Sequence, residues 1–92
     1  MKESVLEKFE QEMELEGDEL LRRNYFIVGV DYSNEDNLDD ALFDAMEAFC
    51  KRYNLSEKTL DELLNSILAR DAYYQMMYRE GFLKDSEENV RT

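Results

Sequence analysis

Apolar residues along this chain recur mostly at helical spacing. Val5, Leu6, Phe9 and Met13 form a first stripe, opened by Ser4 and Glu7 at the spacing of a capping box. Gly17 ends or kinks that helix, and Asp18 is placed to cap a short continuation through Leu20 and Leu21. Leu38, Ala41, Leu42, Ala45, Met46, Phe49 and Tyr53 make an unbroken second stripe, with Asn37 or a neighbouring residue as its cap. Asp39 and Asp40 near its start and Lys51 and Arg52 near its end suit the helix macrodipole. A third helix opens at Ser56, with Leu55 and Leu60 as a hydrophobic staple. Its apolar side carries Leu60, Leu63, Leu64, Ile67, Leu68, Tyr74, Met77 and Tyr78 as far as Gly81.

Residues 25–32 fit neither period cleanly. Phe26-Ile27-Val28-Gly29-Val30 has the composition of a buried strand, yet Leu21, Tyr25, Val28 and Tyr32 also fall at helical spacing. Gly29 weakens a helix, which favours an extended segment at 26–30. A single strand would in turn call for pairing with another chain. The pattern therefore predicts a mainly α domain of three or four helices over residues 1–83, with a short extended segment at 26–30 and a polar tail at 84–92.

Composition narrows the chemistry. The chain has 92 residues, 11 basic against 23 acidic side chains, one cysteine and no histidine, for a formal net charge of −12. Without histidine there is no imidazole base, no Ser-His or Cys-His nucleophile and no histidine metal site. One cysteine excludes an internal disulfide and a thiolate zinc cluster. Cys50 sits beside Lys51 and Arg52, which would favour its thiolate, but a small partly buried hydrophobe is the plainer reading. No stretch approaches the roughly 20 apolar residues of a membrane span, and the start of the chain has no signal-peptide pattern. The expectation is a cytoplasmic, non-enzymatic protein with no cofactor and no catalytic or metal residues.

Acidic side chains are the remaining candidates, and they are unevenly placed. Residues 1–50 hold fifteen acids and four bases, whereas residues 51–92 hold eight and seven. Glu3, Glu7, Glu10 and Glu14 line one side of the first helix, Glu12, Glu16 and Glu19 make a second row if that helix continues past Gly17, and Asp36, Asp40, Asp44 and Glu47 a third. Like charges at such spacing cost about 0.2–0.5 kcal/mol per pair, and few interspersed lysines relieve it. A negative surface of this kind can imitate a nucleic-acid backbone and enter a basic groove of another protein. It can equally be a solvated face that keeps the molecule soluble.

Other sites fail on their own terms. A calcium loop from Asp31 has Asp36 where the EF-hand needs glycine and Leu42 where it needs glutamate. Asp71 lies beside an apolar helical face, where a hydrogen bond is the ordinary explanation. A helix-turn-helix over 38–70 would open its recognition helix on Glu57, Asp61 and Glu62, which phosphates repel, so direct nucleic-acid binding is not expected. In Tyr73-Tyr74-Gln75-Met76-Met77-Tyr78, one helix face cannot bury every apolar residue. Tyr73, Met76 and Tyr78 are thus candidate apolar contacts for a partner.

From Leu38 to Phe82 the chain resembles small acidic helical proteins of phages and bacterial mobile elements. The likeness rests on the acidic opening, the long central helix and the closing Tyr78-Arg79-Glu80-Gly81-Phe82. Some such proteins are inhibitors, including anti-CRISPR proteins that present acidic surfaces to nucleic-acid clefts. The resemblance implies inhibition by DNA mimicry. The charge is then carried by Glu7, Glu10, Glu14, Asp36, Asp40, Asp44 and Glu47, and the partner is a protein with a basic groove. The competing expectation is a regulatory helical interaction module, a homodimer, whose acidity serves only solubility.

Overall fold

A computed structural model describes residues 3–83, with side chains from residue 5 onward. The Ser4 side of the capping box and the polar tail at 84–92 lie outside the described residues. Five helices follow in order: α1 (Glu3–Glu12), α2 (Asp18–Arg22), α3 (Glu35–Arg52), α4 (Glu57–Leu64) and α5 (Ile67–Arg79). No described residue is in a strand, and no described helix is long and apolar enough to cross a membrane.

Local chemistry explains most boundaries. Gly17, at φ 50°, precedes α2, in a region of backbone space that glycine enters without a side-chain clash. Asn34 rather than Asn37 caps α3, its Oδ1 accepting from the amides of Asp36 and Asn37 at 2.9 and 3.2 Å. Asn37 instead donates to the Asp31 carbonyl at 3.0 Å. Ser56 caps α4 through the Thr59 amide.

The expected long third helix is two helices. Asn65 ends α4, its side-chain amide donating to the Asp61 carbonyl at 2.9 Å, and Ser66 restarts the chain by accepting from the Ala69 amide at 3.2 Å. That break resets the helical phase. Ala69, Tyr73, Met76 and Met77 turn inward, while Ile67 and Leu68 face solvent. Asp71 is exposed as well.

One buried cluster joins the helices, with α1 and α4 against α5 and α3 against α4. Phe9 of α1 meets Phe49 of α3 edge-on, ring centroids 5.2 Å apart. Full burial of side chains this large contributes roughly 1.5–3 kcal/mol each. The two ends of the described chain are clasped: Arg79 donates to the Leu15 carbonyl, and the Gly17 amide donates to the Glu80 carboxylate at 3.1 Å.

The segment at 26–30 is irregular, with a turn at 28–29. Neither the strand nor the helical pattern holds: Tyr25, Phe26 and Tyr32 are buried while Ile27 and Val28 are exposed. The Tyr32 hydroxyl accepts from the Ile27 amide and donates to the Ile27 carbonyl, both at 2.7 Å. Those bonds take the place of a partner strand. Phe82 packs on both Phe26 and Tyr32, so the turn is anchored by aromatic rings rather than by pairing.

Candidate functional site

Carboxylates divide into those held in the fold and those left in water. Glu12 belongs to the first group. It faces inward at the end of α1 and is buried, its two oxygens accepting from the Arg23 guanidinium at 2.6 and 2.8 Å. The Tyr25 hydroxyl donates to it at 2.8 Å. Burial alone would raise the Glu12 pKa. The hydrogen bonds from Tyr25, Arg23 and Tyr53, with the Arg23 charge, outweigh burial and hold it below the ordinary value. Burial, then the bond to Glu12, pushes the Tyr25 hydroxyl up. Glu19 pairs with both Arg22 and Arg23. The first helix ends before Gly17, so the condition for a second acidic row is not met: Glu12 closes α1, Glu19 lies in α2, and both are held in ion pairs.

The first row is shorter than its spacing implies. Glu7 and Glu10 are exposed on α1, but Glu14 lies in the turn after the helix has ended. The third row is intact. Asp36, Asp40 and Asp44 are exposed along α3, joined by Asp39, and Glu47 approaches Lys51 at 3.8 Å. Phe43 stands among them, 42% exposed, one helical turn from Asp39, Asp40 and Glu47. The two surviving sets are not brought together. The aromatic contact between α1 and α3 falls at Phe49, and Lys8 of α1 lies over the Tyr53 ring at 4.2 Å. Asp36 is about 20 Å from that end of α3 by helical rise.

Tyr73 and Met76 are corrected by the structure. Both are completely buried in the chain's own core, so neither can meet a partner in this fold. Tyr78 remains exposed. The break before Ser66 accounts for the difference, since a stripe projected across it from α4 arrives on the wrong side of α5. Phe43 is the apolar residue that the acidic face does present. Its signal was in the sequence, as an aromatic residue out of phase with the apolar stripe of its helix. Cys50 is buried, and burial pushes its thiol pKa up, against an activated thiolate.

A shallow groove of about 660 Å³ runs beside this face, between the 23–27 loop and residues 44–52 of α3. Arg23, Lys51 and Arg52 line it together with Asp44 and Glu47, so it has no single sign of charge. Among the described residues no three His, Cys, Asp or Glu side chains are grouped to hold a metal ion.

The fold and this surface define a small, acidic, all-α protein. Comparison with known proteins finds no matching family model, no similar curated protein and no similar solved structure.

Proposed function

We propose that this chain is a non-enzymatic binding protein whose acidic α3 face occupies a basic nucleic-acid-binding surface of a partner protein. In this reading it is an inhibitor of the DNA-mimic type, the role that a likeness to anti-CRISPR-like phage proteins implies. The observation that carries the reading is the charge spacing on α3. Asp36, Asp39, Asp40, Asp44 and Glu47 span about 17 Å of helix, a mean step of about 4 Å from one charge to the next. One strand of duplex DNA presents a charge every 3.4 Å or so. No lysine or arginine falls among the four aspartates, and the first base on that side of the helix is Lys51, beside Glu47. Phe43 supplies an apolar contact within the row, taking on α3 the role expected of Tyr73 and Met76.

A partner that reads this face must release bound anions as it would from DNA, so its affinity should fall steeply with salt. The test uses the immobilised chain to capture proteins from a nucleic-acid-depleted bacterial lysate. Captured protein should be displaced by duplex DNA and by about 0.5 M salt, and lost with an Asp40→Lys, Asp44→Lys variant. A bound protein indifferent to all three would overturn the proposal.

A further inference from the structure

The uncovered helix faces differ in whether they can meet a copy of themselves. An isologous contact sets each patch against its own two-fold image, so it must be self-complementary. On α3 such a contact would bring Asp39 and Asp40 against Asp44 and their neighbours, like charge on like. The outer side of α5 is different. Ile67 is 83% exposed and Leu68 60%, and they share that side with Tyr78 and with Asp71, Gln75 and Arg79, whose charges cancel. Described residues from 51 to 83 carry five acids and five bases, so two molecules meet least repulsion when they approach from here.

We propose that two copies of the chain pair through this face, α5 running antiparallel to its counterpart across a two-fold axis at the middle of the helix. Helical register then sets the contacts. Leu68 in the first turn lies against Tyr78 in the last turn of the second copy, and Ile67 lies along the Arg79 stem. Asp71 lies against Gln75, whose amide N–H donates to the carboxylate. Each contact occurs twice, and none joins like charges. A 13-residue helix is about 20 Å long. The interface therefore sits at the small end of specific contacts, and the dimer should be weak. Two molecules of net charge −12 still repel at long range, so salt should strengthen the dimer. The contact proposed for α3 responds to salt in the opposite sense.

Sedimentation equilibrium of the full chain at concentrations up to about 500 µM, in low and moderate salt, tests this directly. The wild type should dimerise, more tightly at the higher salt. Leu68→Glu and Tyr78→Glu should each weaken the dimer at least tenfold while retaining wild-type helical circular dichroism, since both side chains reach solvent. Phe43→Glu on α3 should leave it unchanged. A wild type that stays monomeric throughout would end the proposal. So would a Leu68→Glu chain that dimerises normally, or a Phe43→Glu chain that does not dimerise. None of these outcomes bears on the α3 reading, which is tested by displacement with DNA and salt and by charge reversal on α3.

Discussion

The two longest helices, α3 and α5, satisfy the same core in opposite ways. Helix α3 keeps its apolar residues, Phe43 apart, on one side and fills the other with carboxylates that repel one another. Helix α5 has apolar residues on both sides: Ala69, Tyr73, Met76 and Met77 face inward, and Ile67, Leu68 and Tyr78 are left outside among Asp71, Gln75 and Arg79. The first arrangement fits a partner of opposite charge. The second fits a surface much like itself. Concentrating charge on one helix thus leaves the other free to associate, which a uniformly acidic molecule could not do.

Substitutions at the inner positions should break this contrast most severely. Tyr73→Glu puts a carboxylate into a site with no solvent exposure and should cost more than 4 kcal/mol, read as loss of cooperative unfolding in urea. The Tyr73 hydroxyl is buried without a hydrogen-bond partner among the described residues. Burial accordingly pushes its pKa up. Tyr73→Phe should therefore be neutral or stabilising by up to about 1 kcal/mol, a result that would separate packing from polarity at this position.

Carboxylates sharpen the comparison at smaller magnitudes. Glu12→Gln removes the charge that holds Arg23 and should cost about 1.5–3 kcal/mol near pH 7. Because the Glu12 pKa is depressed on folding, its contribution is complete above the ordinary value of 4.5 and is lost as pH falls through the lower folded value. Urea melts of wild type and Glu12→Gln should show a constant difference from pH 7 to about 5 that shrinks below 4.5. Acid relief of surface repulsion affects both chains alike and cancels in that difference. Asp40→Asn should do the reverse of Glu12→Gln, stabilising by about 0.2–0.5 kcal/mol per relieved neighbour, with the gain fading in high salt.

How far the sequence reveals these features depends on whether independent signals agree. For α3 the apolar stripe, the acidic first turn and the basic last turn coincide, and the helix lies where they place it. For α4 and α5 the stripe runs on past Asn65 and Ser66, and only the capping chemistry of that polar pair marks the break. The stripe alone places Tyr73 and Met76 outward. At 25–32 the residues serve aromatic anchoring around Phe82, a contact more than fifty positions away in the chain, so no local period describes them. Glu12 is adjacent to Met13 of the first stripe, which was its one clue, but its partners Arg23 and Tyr25 lie beyond a turn whose path the sequence does not dictate. The exposed aspartates were legible because nothing in the fold makes use of them.

The clasp between residues 15–17 and 79–80 has a consequence for synthesis. Helix α1 leaves the ribosome more than sixty residues before Arg79 and Glu80 can secure the turn that follows it. At about 5–20 residues per second, that is an interval of roughly 3–13 s. Helix α3 arrives earlier and offers Phe49 to Phe9. The final cover comes only with α5, so the nascent chain carries its most acidic half before the nearly neutral half that closes it. Through that interval, repulsion between neighbouring growing chains is itself a safeguard against aggregation.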